Sequence, residues 1–289
     1  MKYNFDISII IPTINNPIKL KKLLELIDNQ NHLLKKKIEL IIVYQSKSRK
    51  KLKLKFKNIS NVNVINEKKK SLSRAKNLGI KYSKGFLISI LDDDVLVNKD
   101  YLKQIFNFFK KNKNIDILFG AIKIINSQQF YSRYMSQNKT KVNFINLKKC
   151  LASAMIFKNK KKFRFDERFG LGAKYPSSEE TDFIFNSLIN QKSKIIYNPK
   201  ICLYHPNDEL LNKDTVRIKK KFFSYGIGTG AVYAKYLKNN YFFFILYLFE
   251  LFKSFVGLSI GILKFNKFLV LKHLNLLNGK FFGFIKFYY

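Results

Sequence analysis

The chain has 289 residues, 47% of them hydrophobic, with twelve Gly and five Pro; this supports one full-sized core plus a smaller appendage and excludes a disordered, collagen-like or linker-rich chain. Its 55 Lys and Arg against 19 Asp and Glu give a formal charge of +36. That charge points either to an anionic partner or to codon bias, because the Lys is accompanied by much Asn, Ile, Phe and Tyr, as AT-rich codons produce.

In chain order, the apolar run 7–11 follows one early Lys and is stopped by Pro12, short of a signal peptide's apolar region, so a cytosolic chain is expected. Cys150 and Cys202 have neither metal-ligand spacing nor the density of a stapled domain, so core positions in a reducing compartment are expected. Strands are expected at 7–11, 39–44, 62–65 and 86–91. Between them Leu20, Leu23, Leu24 and Ile27, then Leu72, Ala75, Leu78 and Gly79, recur at helical spacing. This alternation predicts an α/β domain with a mostly parallel sheet flanked by helices. Ligands in such sheets bind outside the carboxyl ends of the strands, where helix N-termini point. Those ends are Pro12 and Thr13, then 44–46, then 92–94. Beyond 115, runs at 117–125, 151–157, 194–197 and 201–204 predict a mixed second half of the same domain, residues 1–212. Residues 213–289 form a helical, aromatic-rich tail.

Leu91-Asp92-Asp93-Asp94-Val95 ends an apolar strand. Three adjacent carboxylates repel one another and, in a water-poor crevice, call for a cation; Mg²⁺ or Mn²⁺ suits such oxygen ligands and bridges to a diphosphate. A solvated acidic turn before the next helix is the alternative. A second acidic group, Glu179-Glu180-Thr181-Asp182, precedes Phe183, Ile184 and Leu188. Acids in a first helical turn are stabilised by the backbone dipole; alternatively one of them takes a hydroxyl proton as general base. In the segment 71–79, Arg74 and Asn77 share a helix face, either as a basic surface or beside a ligand.

Ile9-Ile10-Ile11-Pro12-Thr13, the segment 71–79, the Asp92 to Asp94 triplet, the segment 179–183, and Tyr197-Asn198-Pro199 with Tyr204-His205-Pro206 together resemble, in order and spacing, family 2 glycosyltransferases. The resemblance runs from about residue 6 to 206. It implies a GT-A, Rossmann-like domain with a mostly parallel mixed sheet, and transfer of a sugar from a nucleotide-diphosphate donor to a hydroxyl acceptor, with inversion. On that resemblance Pro12, Thr13 and Tyr44 line the base pocket, and Ser71, Arg74 and Asn77 belong to the donor-binding segment. Asp92 and Asp93 meet the ribose or metal, and Asp94 is the main ligand of Mn²⁺ or Mg²⁺ in what the family calls its DxD motif. His205 faces the diphosphate or metal. Glu180 falls at the catalytic base, Glu179 beside it, and Asp182 positions or caps. Two departures stand out: Tyr44 occupies a place where the family has an acid, and Glu180 one where Asp is commoner.

The run 241–263 is long enough to span a bilayer, but Glu250 and Lys253 lie near its middle, which favours an interfacial or re-entrant helix over a span; packing on the domain or on a second copy of the chain is a further reading. Lys on both flanks leaves orientation open. The segment 225–231 is glycine-rich and reads either as a phosphate loop without its strand or as an acceptor-side hinge. Leu274, Leu277, Phe281 and Phe284 continue an apolar helical face. The expected partners are therefore a nucleotide-diphosphate sugar, a glycan or lipid-linked acceptor in cell-surface polysaccharide or glycolipid synthesis, and an anionic membrane at its cytoplasmic face. No nucleic acid is expected. The rivals are a nucleotidyltransferase acting on sugar phosphates, which usually opens with a glycine-rich loop, and a non-enzymatic basic membrane-binding protein.

Overall fold

Runs of β-branched residues become strands, and the basic or polar stretches between them become helices and turns. A computed structural model describes residues 3–14, 17–46, 56–160, 163–206, 214–238 and 240–289; the expected 212/213 boundary lies outside them. The strands are β1 (Phe5–Thr13), β2 (Ile38–Tyr44), β3 (Asn61–Asn66), β4 (Gly85–Ile90), β5 (Leu96–Val97), β6 (Ile117–Ile124), β7 (Thr140–Lys141), β8 (Met155–Lys158) and β9 (Ile195–His205). The helices are α1 (Pro17–Leu34), α2 (Leu72–Tyr82), α3 (Tyr101–Lys111), α4 (Glu179–Ile189), α5 (Thr215–Leu237), α6 (Phe242–Leu263) and α7 (Lys267–Tyr288). The chain forms two compact units, residues 1–165 with 183–207 and residues 166–182 with 208–289.

The first unit is built on one sheet in the order β3-β2-β1-β4-β8-β6-β9-β5, with β7 also paired to β9. β1 to β4 are mutually parallel, while β8 runs antiparallel to both β4 and β6. β2 is buried along its whole length, as expected of a strand covered on both faces; its one charged residue, Glu39, accepts from Ser8 Oγ at 2.6 Å and from the Lys84 amide at 2.9 Å. β3, with Asn61, Asn63 and Asn66, is the half-exposed edge. The chain leaves β1 toward β2 and β3 on one side, then returns to place β4 on the other. Strand order therefore reverses at the carboxyl ends of β1 and β4, the place where open sheets of this kind bind ligands.

The two runs expected at 194–197 and 201–204 are one strand, β9, whose pairing with β6 shifts register between Gly120 and Ala121. Pro199 has no N–H for the ladder, which makes the strand look interrupted in sequence. Rings of Phe157, Phe163, Phe165 and Phe183 pack together, Phe165 stacked on Phe183 at 4.7 Å. Cys150 and Cys202 are free and buried.

In the second unit, Asp214 caps α5 by accepting from the Val216 and Arg217 amides. The glycine-rich segment 225–231 lies within α5 as unbroken helix, so it is neither a phosphate loop nor a hinge. Its glycines serve packing instead. Gly226 and Gly230 face Gly279 and Gly283 of α7, and a Cβ on Gly230 or on Gly283 would lie 2.0 Å from a backbone carbonyl of the other helix. Such spacing of small residues lets two helices meet backbone to backbone.

α6 buries a narrow strip, Phe243, Tyr247, Glu250, Ser254 and Gly261. Its remaining faces expose Ile245, Leu248, Phe249, Phe252, Phe255 and Ile262. Glu250 pairs with Lys253, as their spacing allowed, and also faces Lys280 at 3.4 Å. Lys280 further donates to the Glu250 carbonyl at 2.6 Å and to Ser254 Oγ at 2.8 Å. Among the described residues α6 is the one helix long and apolar enough to cross a membrane.

Candidate active site

The strand-order reversal is lined by groups that the strand ends present. Thr13, the last residue of β1, is buried and donates its hydroxyl proton to Asp93 Oδ2. Pro12 and Thr13 lie in register with Val43 and Tyr44 of β2. Tyr44 is 4% exposed, so little of its ring is open to a ligand.

The acidic triplet follows β4. Two residues later β5 pairs antiparallel with β9, Leu96 opposite Tyr204 and Val97 opposite Leu203, and this short pairing brings Asp94 beside His205. Asp94 Oδ1 lies 3.5 Å from His205 Nε2, and Asp94 Oδ2 lies 3.8 Å from Lys19 Nζ of α1. His205 Nδ1 is 2.8 Å from the Pro206 carbonyl. A carbonyl only accepts, so Nδ1 carries the proton there and Nε2 is the nitrogen turned to Asp94. Burial pushes the Asp93 carboxyl above its ordinary value, and the charge of Asp94 adds to this against the Thr13 hydrogen bond. Among the described residues no three Asp, Glu, His or Cys side chains converge as a ready ion cage.

α2 opens after β3. Ser71, at its N-cap, is buried, and its hydroxyl has no hydrogen-bond partner in the structure. The helix's first amides point toward the same end. Arg74 donates from Nε to Glu67 Oε2 at 2.8 Å. Asn77, expected in the donor-binding segment, also holds the backbone of a neighbouring segment. Its side chain brackets the backbone of Phe165, accepting from the amide at 2.8 Å and donating to the carbonyl at 2.9 Å.

Three cations or carboxylates here were missed from sequence. Glu67 follows β3, and its amide bonds to the Tyr44 carbonyl, so an acid does stand beside the end of β2, one strand over from where it was sought. Burial raises its pKa, but the Lys69 amide and Arg74 outweigh that and hold it low. Lys76 is buried with its ammonium 5.1 Å from the Phe165 ring centroid. Its sharing of a face with Leu72 and Gly79 was the readable signal. Lys19, one turn into α1, carried none.

The second acidic group lies in the first turn of α4, preceded by Ser178 at φ 67°, a left-handed backbone that a Ser adopts only when its surroundings hold it there. Glu180 and Thr181 are half-buried, Glu179 is buried, and Asp182 is 2% exposed. Asp182 pairs with Lys235 of α5, which also contacts Asp166 at 2.9 Å. Burial raises the Asp182 pKa, partly offset by Lys235. Burial also acts on Asp166, but hydrogen bonds from Arg168 and Lys235 prevail and hold it well below the usual carboxylate range.

Comparison with known proteins agrees with this fold. A family model described as glycosyl transferase family 2 matches residues 8–170. The chain is 28% identical over 247 residues to the minor teichoic acid biosynthesis protein GgaB of Bacillus subtilis (strain 168), covering 78% of this chain and 26% of that one; it thus spans about a quarter of that relative. It is 26% identical over 261 residues to the uncharacterized glycosyltransferase MJ1057 of Methanocaldococcus jannaschii, covering 85% and 86%. Among solved structures, S. aureus TarS 1-349 in complex with UDP-GlcNAc aligns with TM-score 0.57 at 18% identity over 76% of this chain and 66% of that one. The mannosyltransferase PcManGT from Pyrobaculum calidifontis, in complex with GDP-Man and Mn²⁺, aligns with TM-score 0.63 at 11% identity over 97% and 87%. At such identities the structural likeness bears on the fold, which is GT-A.

Proposed function

Because the chain belongs to glycosyl transferase family 2, we propose that it transfers a sugar from a nucleotide-diphosphate donor held at the carboxyl ends of β1 and β4, with Glu180 as the base that activates the acceptor hydroxyl. The observation that carries this reading is the pair of contacts at the strand-order reversal, Thr13 with Asp93 and Asp94 with His205. Family membership also sets aside the nucleotidyltransferase and the non-enzymatic binder.

A divalent ion fits the groups present. Asp94 would offer a hard oxygen and His205 Nε2, beside it, a nitrogen, with Asp92 the further ligand that the family resemblance adds; so few protein groups suit Mn²⁺ or Mg²⁺, whose other positions would fall to diphosphate and water. When bound, such an ion neutralises charge on the leaving diphosphate. Asp93, fixed by Thr13, is oriented for the ribose. Ser71 Oγ and the first amides of α2 are donors suited to phosphate oxygens, with Arg74 held nearby by Glu67. In the transfer itself the acceptor oxygen bonds to the anomeric carbon as the bond from that carbon to the diphosphate breaks, and Glu180 takes the hydroxyl proton; attack from the opposite face inverts the centre. Glu179 and Asp182 serve the placement of Glu180. Tyr44 and Pro12 border the base, and Asn77 contributes by fixing the chain at Phe165.

The teichoic acid relative supports cell-surface polysaccharide or glycolipid synthesis as the process, with a glycan or lipid-linked acceptor. The exposed apolar faces of α6, with Lys238 before them and Lys264 and Lys267 after, support attachment to an anionic membrane at its cytoplasmic face, peripheral or monotopic. The test is calorimetric titration of detergent-purified protein with UDP, GDP, CDP and dTDP, with and without Mn²⁺. Metal-dependent binding of one nucleotide, lost in Asp94→Asn, is expected. Equal binding by Asp94→Asn would remove the metal-site assignment, and binding of none would remove the donor site.

A further inference from the structure

The segment that carries the candidate base is built into the C-terminal helical unit. Residues 166–182 cluster with the helices, and the contacts responsible come one after another along the segment. Lys235 of α5 bridges Asp166 and Asp182. Tyr236 donates its hydroxyl to the Asp182 carbonyl at 3.1 Å. Ser177 Oγ donates to the Ser224 carbonyl at 3.1 Å. Tyr175 reaches α7, with its hydroxyl 3.4 Å from the Lys286 carbonyl and its ring 5.8 Å from that of Phe287.

The fit is close on both sides. A Cβ on Gly228 would fall 2.1 Å from Ser177 Oγ and 2.5 Å from the Ser177 carbonyl, so at this point α5 lies against the backbone of the turn. Ser178 is left-handed immediately beyond, and a non-glycine residue stays in that state only where neighbours over-determine it. α5 supplies such neighbours. Glu180 sits two residues after this strained position and two before Asp182, so both ends of its turn are pinned to one helix.

We propose that α5 is the positioning element for the candidate base: Lys235 and Gly228 set the orientation of the turn 178–182, so the C-terminal helices are part of the acceptor-side machinery as well as a membrane attachment. This rests on the assignment of Glu180 as base. It explains why Lys235 stands where it does. A bridging ammonium satisfies two carboxylates that would otherwise repel each other and displace the turn. It also explains a glycine in the middle of α5 that faces the turn rather than α7.

The experiment uses the full chain in detergent with Lys235→Met, Lys235→Arg, Glu180→Gln and the double variant Glu180→Gln/Lys235→Met. Three quantities are read on each: nucleotide affinity, nucleotide release from UDP-GlcNAc and GDP-Man with water as acceptor, and amide exchange across the chain. Lys235→Met is expected to lower kcat about 100-fold, with nucleotide affinity unchanged, and to raise exchange at 178–182 while leaving α6 and α7 protected. Lys235→Arg should recover most of that loss, and the double variant should be no slower than Glu180→Gln alone, because a positioning residue acts through the base. Turnover of Lys235→Met within a few-fold of the parent, or additive loss in the double variant, would overturn the proposal. Normal turnover in Glu180→Gln would instead remove the base assignment, and amide exchange at 178–182 would then decide the positioning claim alone.

Discussion

Both units bury apolar side chains, but they differ in what joins their elements and in what they turn outward. In the sheet unit Ile7, Ile9, Ile10, Ile11, Leu40, Ile41 and Ile42 have no exposed surface, the arrangement that water enforces on apolar groups. In the helical unit the α6/α7 contacts bury Glu250, Ser254, His273 and Lys280, and α5 meets α7 through glycines, while Phe, Leu and Ile face outward along α6. A helix pair held by close backbone approach and internal polar links, with its apolar surface turned out, is suited to a solvent that is itself apolar. If α6 meets lipid as proposed, the two units answer to different solvents, and substitutions of the same kind should behave differently in each.

The largest effect is expected from Gly283→Leu. Its side chain would have to occupy the place of the Ile227 carbonyl, so α5 and α7 should separate altogether, seen as protease cleavage within α7 in detergent; an intact helical unit would break the comparison. Gly79→Ala makes the milder contrast in the sheet unit, because the atoms it meets are the Ile10 side chain, which can shift, at about 1–3 kcal/mol.

Next comes the polar centre. Lys280→Met leaves Glu250 buried with Lys253 as its remaining cation partner among those described, and should cost about 3–5 kcal/mol. Phe183→Ala opens the aromatic cluster of the sheet unit for about 3–5 kcal/mol. Thermal unfolding in two detergents of different chain length separates them: the Lys280 variant should respond to the detergent and the Phe183 variant should not.

A smaller effect is expected at the outward face. Phe252→Asp should weaken binding to vesicles containing anionic lipid at least tenfold, on the order of 1.5–3 kcal/mol for one lost aromatic insertion, with nucleotide affinity unchanged. Equal vesicle binding by the variant would remove α6 as the contact surface.

The smallest concerns pH. The Asp166 pKa is held low in the folded chain by Arg168 and Lys235, against burial, so the folded state binds this proton less readily than the unfolded one. Its stabilisation is full above the unfolded value of about 4 and is lost as pH falls through the folded value, on the order of 1–2 kcal/mol after allowance for solvent screening. Acid titration of Asp166→Asn should therefore be flatter below about pH 4 than that of the parent.

Much of the sheet unit was legible in advance because the evidence for it is local. A β-branched run between polar segments states a strand, and Asp92 to Asp94 after such a run states a strand end, so that strand end and its acids could be placed without coordinates. The partner groups were not legible. His205 meets Asp94 through β5, two residues long, too short to leave a pattern. That Asn77 brackets the backbone of Phe165 was equally hidden, since the two lie 88 residues apart. In the tail the glycines of 225–231 suggested a loop, since the only observation that makes them helical is the facing pair in α7, some fifty residues away. Glu250 looked expensive in an apolar helix for the same reason: Lys280 lies thirty residues on.

The central claim is a division of labour, with donor binding in the sheet unit and proton removal on a turn held by the helical unit. Its most direct test is nucleotide affinity and turnover measured on the same preparations of Asp94→Asn and Glu180→Gln. The account predicts that Asp94→Asn loses metal-dependent nucleotide binding, whereas Glu180→Gln binds normally and loses at least about 100-fold in kcat. Loss of binding in Glu180→Gln, or full turnover in either variant, would contradict it.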